Sequence, residues 1–263
     1  MTTTPLPETP RRVALITGAA KRLGRAMALD LAQRGWDVAI HCGRSLEEAE
    51  TTARDCHAIA PHGHFDVFVG NLSNPDAVTR CFNNAAEHFE RIDAVVNNAS
   101  VFELDTPESM DGASFDKHLR TNTLAPVKFA QMLAEHVKMR GTRGVVVNLL
   151  DQKLYNLNPD FFSYTLSKAA LECANTMLAQ ALAPHVRVVG IAPGLTLTSH
   201  MLSDQAFEAL HKLSPLGRSS TPEDITAAVA FALDNPAITG TTLVVDGGQH
   251  LVRQARDFSL MTP

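Results

Sequence analysis

Short apolar runs alternate regularly along the chain with longer stretches of helical periodicity. The apolar runs are residues 13–17, 36–41, 65–69, 92–96, 145–150, 186–191 and 241–245. Between them, apolar residues recur at the spacing of a helix that buries one face. Short buried strands linked by crossover helices give this pattern. The sequence therefore predicts an α/β fold, with one doubly wound parallel sheet of about seven strands and helices on both faces.

The domain organisation is simple, because the alternation continues from residue 11 without a break in composition. Residues 1–10 are rich in threonine and proline, and we expect them to be a disordered lead. We predict that residues 11–263 form a single domain. The segment 194–212 follows the sixth apolar run, and we expect a loop to about residue 203 and then a short helix around residues 207–210.

The charge and cysteine content exclude several classes of protein. A formal net charge of −5 and a pI near 6.1 argue against a protein that binds nucleic acid or a membrane surface. No apolar run approaches the roughly 20 residues needed to span a bilayer. The four cysteines have no CxxC spacing, so we expect reduced thiols in a cytoplasmic protein. His57, His62 and His64 fit a surface turn, and we predict no metal ion.

A glycine turn follows the first apolar run. Gly18 and Gly24 bracket this turn, and an amphipathic helix follows it. Glycine lets the backbone approach a diphosphate closely, and the N-terminus of the next helix attracts the negative charge. An ordinary strand-to-helix turn can carry the same glycines. Arg22 stands where a third glycine is usual and adds a cation that can reach a phosphate or a polar ligand.

The residues after the second apolar run indicate the type of nucleotide. In a Rossmann-type sheet an acidic residue at this place binds the adenosine ribose hydroxyls. This chain has Arg44 and Ser45 instead. A guanidinium and a hydroxyl at a helix N-terminus suit a 2′-phosphate, so we infer NADP(H) rather than NAD(H). A solvent-exposed arginine beside a helix-capping serine is the alternative.

A candidate acid group follows the fifth apolar run. Asp151 stands at the end of that run, and Tyr164 and Lys168 lie four residues apart on the helical segment that follows. This spacing puts both side chains on one helical face. An ammonium group beside a phenol lowers its pKa from about 10 and makes it a usable proton donor. Taken alone, most such pairs are a tyrosine and a solvated lysine.

Two further strand ends carry candidate binding residues. Asn98, Ala99 and Ser100 follow the fourth run, where small and amide side chains let a ribose lie against the backbone. Phe102 is either a loop anchor or a flat face for a planar ligand. The Pro193-Gly194 pair ends the sixth run and is suited to fixing the loop over a nicotinamide.

Together these residues resemble the short-chain dehydrogenase/reductase family over about residues 11 to 251. The resemblance rests on Thr17-Gly18 to Gly24, Asn97-Asn98-Ala99, Asn122, Tyr164 to Lys168, Pro193-Gly194 and Asp246-Gly247-Gly248. Arg22 replaces the middle glycine, and Asp151 replaces the serine usual 13 residues before the tyrosine. Both departures match the pteridine reductase branch, which includes bacterial dihydromonapterin and dihydrofolate reductase relatives.

The resemblance implies roles for individual residues. The implied catalytic residues are Asp151, Tyr164, Lys168 and Asn122, the last holding a water that links Lys168 to bulk solvent. The implied cofactor-binding residues are Gly18, Arg22, Leu23, Arg44, Ser45, Asn71, Leu72, Asn98, Ala99, Ser100, Tyr164, Lys168, Pro193 and Gly194. The implied substrate-binding residues are Arg22, Ser100, Phe102, Asp151, Tyr164, Gly194 and Leu195. Asn71 replaces an aspartate common in the family, and we expect its carbonyl oxygen to accept from the adenine amine.

The resemblance also implies the activity and the partners. We expect an NADPH-dependent reductase of a pteridine-like small molecule, in which 194–212 is the substrate loop, Phe102 stacks on the substrate, and Tyr164 with Asp151 protonates a C=N bond. A carbonyl reductase of a 3-oxoacyl, steroid or sugar substrate is the alternative, and a non-enzymatic NADPH-binding regulator is a minor one. The family is usually tetrameric, so we expect a homotetramer. The tail 258–261 and the apolar face at Ala169 fit subunit packing or the core of a monomer.

Overall fold

Seven parallel strands form one sheet in the order β3-β2-β1-β4-β5-β6-β7. The structure is a computed structural model that describes residues 11–198 and 202–261, so the predicted lead 1–10 lies outside the described residues. The strands are β1 Val13–Ile16, β2 Asp37–Cys42, β3 Phe65–Val69, β4 Ala94–Asn97, β5 Gly144–Leu149, β6 Val186–Pro193 and β7 Thr241–Val245. The predicted doubly wound α/β fold is therefore confirmed.

Helices cover both faces of this sheet. They are α1 Arg22–Gln33, α2 Leu46–Ile59, α3 Pro75–Phe89, α4 Gly112–Leu119, α5 Ala125–Met139, α6 Phe162–Leu182, α7 Asp204–His211 and α8 Pro222–Asp234. Successive side chains of a strand point to opposite faces, which divides the core in two. Ala14 and Ile16 of β1 pack with α1, α2 and α8, whereas Val13 and Leu15 pack with α3 and α5.

Side-chain caps mark the starts of two helices. The Asn74 side chain accepts hydrogen bonds from two backbone N–H groups at the start of α3, and Pro75 occupies the first turn. Thr221 and Asp224 form a reciprocal capping box at the start of α8. These bonds satisfy N–H groups that a helix cannot satisfy internally.

The long helical stretch before β5 is interrupted, as the proline in it suggests. Pro126 has no N–H to donate to the preceding turn. The chain responds with a π-helical segment, Arg120–Leu124, between α4 and α5. Asn122 lies in this wider turn, which turns its side chain toward the ends of the neighbouring elements.

The order of the strands creates the binding edge. The chain runs outward from β1 to β3 on one side and from β4 to β7 on the other, so the carboxyl ends of β1 and β4 flank the switch point. After β7 the chain returns over this edge through two short 3₁₀ segments, Gln249–Leu251 and Phe258–Leu260. Within residues 11–198 and 202–261, no helix combines the length and the hydrophobicity that crossing a bilayer requires.

Candidate active site

A cavity of about 510 Å³ opens at the carboxyl ends of the central strands. Its wall combines the glycine turn, the ends of β4, β5 and β6, the start of α6 and the C-terminal tail. The predicted residues in this wall are Gly18, Arg22, Leu23, Asn98, Ala99, Ser100, Phe102, Asp151, Tyr164, Lys168, Pro193, Gly194 and Leu195. Most of the candidate residues chosen from the sequence thus lie around one space.

The glycine turn is shaped by close backbone approach. Gly18 has a φ of +63°, in the left-handed region that favours glycine. A Cβ atom on Gly24 would lie 2.1 Å from the Gly18 carbonyl oxygen, so no larger residue fits there. Lys21, at the N-cap of α1, makes no side-chain capping bond. The first N–H groups of α1 therefore have no side-chain acceptor at the cap and suit an anion.

Arg22 takes the backbone conformation of the glycine it replaces. Its φ is +56°, a left-handed conformation that costs an L-residue about 1–2 kcal/mol. Its guanidinium Nη1 donates to the carbonyl oxygen of Thr198 at 2.8 Å. Arg22 thus joins the glycine turn to the loop that follows β6, across the mouth of the cavity.

Behind the glycine turn lies a histidine that the sequence analysis did not select. His41 is buried near the end of β2, where its Nδ1 accepts from the Gly18 N–H at 3.2 Å and its Nε2 donates to the Gly70 carbonyl oxygen at 2.9 Å. Burial lowers the pKa of His41 to about 4, so the ring is neutral at pH 7. The one sequence signal that could have indicated this role is the occurrence of a histidine next to the end of a mostly apolar strand.

The two acid candidates are directly bonded to each other. The Tyr164 hydroxyl donates to Asp151 Oδ2 at 2.6 Å, and Asp151 Oδ1 accepts from the Lys153 backbone N–H at 2.8 Å. Burial raises the pKa of Asp151 above its ordinary value. Burial and the adjacent Asp151 carboxylate raise the pKa of Tyr164 as well. The pair therefore retains its protons to higher pH than the isolated groups do.

The expected effect of Lys168 on the tyrosine is wrong for this arrangement. Lys168 Nζ donates to the Leu149 carbonyl oxygen at 2.6 Å and lies 5.8 Å from the centre of the Tyr164 ring. Burial and the Asp151 carboxylate bonded to the phenol raise the pKa of Tyr164, whereas the expectation was a lowered pKa. Burial also lowers the pKa of Lys168 to about 8, which weakens its hold on a positive charge at neutral pH.

Asn122 lies beside the site, but its side chain does not contact Lys168. Its Oδ1 accepts from the Val101 N–H at 2.8 Å and from the Ser100 hydroxyl at 3.2 Å. Its Nδ2 donates to the Val101 carbonyl oxygen and to the Ser167 hydroxyl, both at 2.9 Å. These contacts engage both ends of the amide. The side chain instead fixes the loop after β4 to α6.

Phe102 is half-exposed and lies in the cavity wall. One face stacks on buried Phe161, with ring centroids 4.0 Å apart and an interplanar angle of 13°. Tyr164 meets Phe102 edge-on, with centroids 4.7 Å apart. The aromatic group is therefore rigid and adjoins the hydroxyl that points to Asp151.

Four of the predicted cofactor residues lie outside the cavity wall, beyond the ends of β2 and β3. Arg44 is exposed, and Ser45 is the N-cap of α2 without a side-chain capping bond. Leu72 is buried in the core. Asn71 Oδ1 accepts from both the backbone N–H and the hydroxyl of Ser73, at 3.1 and 2.9 Å. The expectation that this oxygen accepts from adenine is therefore not supported, because both of its lone pairs are used.

The tail contributes residues to the site that the sequence analysis missed. Asp257 and Phe258 lie in the cavity wall, and Phe258 packs with Leu202 and Leu210 of its own chain. Phe258 and Met261 thus have packing partners within their own chain. Buried Lys153 pairs with Asp257 at 2.8 Å. A lysine just after a buried strand was the only signal for this pair, and its distant partner was not apparent.

Comparison with known proteins agrees with this geometry. A family model described as Enoyl-(Acyl carrier protein) reductase matches residues 18–250. Pteridine reductase 1 of Leishmania tarentolae is 32% identical, over 92% of this chain and 97% of that protein. FolM alternative dihydrofolate reductase 1 of Brucella canis, solved in complex with NADP, is 38% identical with a TM-score of 0.85, over 92% of this chain and 95% of that one. The 3-oxoacyl-[acyl-carrier-protein] reductase FabG of Staphylococcus aureus is 29% identical, over 90% and 98%.

The fold and the site define an oxidoreductase built on a doubly wound nucleotide-binding sheet. The chain belongs to the short-chain dehydrogenase/reductase family. Within that family it is similar both to pteridine-type reductases and to ketoreductases.

Proposed function

We propose that this protein is an NADPH-dependent reductase that adds hydride and a proton across a C=N bond of a dihydropteridine. The observation that carries the proposal is the 2.6 Å hydrogen bond between Tyr164 and Asp151. A carboxyl group stands where most of the family has a serine hydroxyl. A hydroxyl polarises a carbonyl, whereas a carboxyl group can pair with a ring nitrogen that is being protonated.

The cofactor in this proposal is NADP(H). The close approach of Gly24 to Gly18 leaves a cradle that a Cβ atom would fill, and the N-terminus of α1 opens onto it. Arg44 and Ser45 stand beyond β2, where they are available for the 2′-phosphate. The similar FolM structure is an NADP complex. When bound, the nicotinamide supplies the hydride.

The residues of the chain supply the proton and the orientation. Asp151 keeps its proton more readily than an exposed carboxyl group, because burial raises its pKa. The Tyr164 hydroxyl either donates directly or hands its proton on through Asp151, since the two share one hydrogen bond. Lys168 is held by the Leu149 carbonyl oxygen at the floor of the site, where its ammonium is available to a ribose hydroxyl. Phe102, braced by Phe161, offers a surface for a flat ring.

Ketone reduction is the competing function, and the likeness to FabG favours it. The deciding experiment measures NADPH oxidation with dihydrobiopterin, with dihydrofolate and with an acetoacetyl thioester. We expect kcat/KM to be highest for one of the two pteridines. A variant with Asp151→Ser restores the hydroxyl usual in the family and should lose pteridine turnover more than any ketone turnover. Turnover of the thioester alone would contradict the proposal.

We also propose that the protein is a homotetramer in the cytoplasm. Helix α6 exposes Leu166 and Met177, and the π-helical segment next to it exposes Leu124. We expect these exposed apolar side chains to form part of a subunit contact. Light scattering coupled to size-exclusion chromatography tests the assembly directly, since a monomeric mass would contradict it.

A further inference from the structure

The C-terminal tail forms part of the cavity wall opposite the glycine turn. Asp257, Phe258 and Ser259 line the same space as Asp151 and Tyr164. The cavity therefore contains a second carboxylate, for which the proposed reaction has no role.

Asp257 is held in one orientation by its neighbours. Lys153 is buried, and its Nζ contacts Asp257 Oδ2 at 2.8 Å and Asn158 Oδ1 at 2.5 Å. The Ser259 N–H donates to Asp257 Oδ1 at 3.0 Å. The backbone N–H of Asp257 donates to Asp160 Oδ2 at 2.8 Å, which fixes the tail itself.

The Asp257 carboxylate has acceptor capacity left. A carboxylate has about four lone-pair sites, and Lys153 and Ser259 use two of those on Asp257. Its negative charge also reaches the acid pair, because it raises the pKa of both Asp151 and Tyr164. Asp257 thus lines the cavity that contains the acid pair and has lone pairs available to a ligand.

The chemistry of the proposed substrate indicates what this acceptor contacts. In a dihydropteridine the carbon that accepts the hydride is bonded to the nitrogen that accepts the proton, and that carbon carries the ring substituent. A ring whose nitrogen faces Asp151 and Tyr164 consequently places its substituent beside the acid pair. The amino-pyrimidine edge lies at the opposite end of the ring.

We propose that Asp257 is a specificity-determining residue that accepts hydrogen bonds from hydroxyl groups on this substituent and disfavours an anionic substituent. Lys153 is its positioning residue. The inference rests on the proposed function and adds to it a preference for hydroxylated dihydropteridines over dihydrofolate, whose tail carries carboxylates.

The test compares kcat/KM for dihydrobiopterin and dihydrofolate in the wild type, in Asp257→Asn and in the control Arg256→Gln. Arg256 lies on the same tail as Asp257 and pairs with Asp160, but it does not line the cavity. Asp257→Asn should lower the ratio of kcat/KM for dihydrobiopterin to kcat/KM for dihydrofolate about tenfold, mainly through KM. The reason is that hydrogen bonds to a charged group are stronger than those to a neutral one. Affinity for oxidised biopterin, measured by fluorescence titration, should fall by a similar factor. The control should leave both unchanged.

The possible failures are distinguishable. A wild-type protein that reduces no pteridine refutes the proposed function. A wild-type protein that reduces pteridines, with an unchanged ratio in Asp257→Asn, refutes only the role of Asp257. The double variant Lys153→Met with Asp257→Asn should show the ratio of Asp257→Asn alone, since Lys153 acts through Asp257. Independent, additive effects of the two substitutions on the ratio would overturn the positioning role of Lys153.

Discussion

Replacing Asp151 by asparagine removes an ionisable carboxyl group while keeping the size and shape of the side chain. In the wild type, the Asp151 carboxyl group accepts hydrogen bonds from the Tyr164 hydroxyl and from the Lys153 backbone N–H. An asparagine has one acceptor oxygen, so it can keep the bond from Lys153 only by turning its NH₂ group toward the phenol. The Tyr164 proton then has no acceptor on this side chain, and the carboxyl proton is gone.

The expected loss follows from removing a positioned acid. General acid catalysis contributes about 10²–10⁴-fold, which corresponds to roughly 3–5 kcal/mol of the barrier. We therefore expect kcat with dihydropteridine to fall by about two to four orders of magnitude, with less change in KM. The assay is steady-state oxidation of NADPH, with Asp116→Asn on exposed α4 as a control for the same chemical change at the surface.

The Asp151→Asn variant should be more stable than the wild type at alkaline pH, although it is less active. Because burial raises the pKa of Asp151, its contribution to stability is present at low pH and is lost as pH rises through the raised pKa. Asp151→Asn should thus unfold at a higher temperature than the wild type at pH 8, with a smaller gain at pH 4. A stable Asp151→Asn variant that keeps kcat within tenfold of the wild type would refute the acid role.

Four further predictions concern other parts of the site. Activity in the reducing direction should fall as pH rises above about 8, because Lys168 loses its proton there; a pH profile of kcat/KM flat to pH 10 would contradict this. Arg22→Gly removes backbone strain of about 1–2 kcal/mol and the bond to Thr198, so thermal stability should hold while substrate KM rises. Because burial lowers the pKa of His41 to about 4, the free energy of unfolding of the wild type should fall by up to ~3 kcal/mol as pH falls from about 6.5 to 4. Denaturant titrations of His41→Asn should not show this pH dependence. Gly24→Ala should abolish NADPH binding by calorimetry, because its Cβ meets the Gly18 carbonyl oxygen.

The sequence predicts the fold well because the signals for it are local. The periodicity of apolar residues marks all seven strands, and Asn74 and Thr221 mark the helices that they cap. The spacing of the glycines and of Tyr164 and Lys168 makes them candidates, and their positions beside predicted strand ends combine them into one site. The position of Arg22 in a glycine conformation is also local, since the turn geometry dictates it.

The parts of the site that the sequence does not predict depend on distant partners. The pKa of Tyr164 is raised by burial and by the carboxylate of Asp151 13 residues away, not lowered by the lysine on its own helix. The Lys153–Asp257 pair spans 104 residues, and no periodicity reports such a contact. Asn122 lies in a turn that the sequence identifies, but its four bonds depend on how the loop after β4 meets α6.

The most informative experiment on the site is a crystal structure with NADP⁺ and an oxidised pteridine. We expect a flat ring against Phe102, with a ring nitrogen within hydrogen-bonding distance of Asp151 or Tyr164. A pteridine bound with both of these side chains out of reach of its ring nitrogens would show that they do not protonate the substrate.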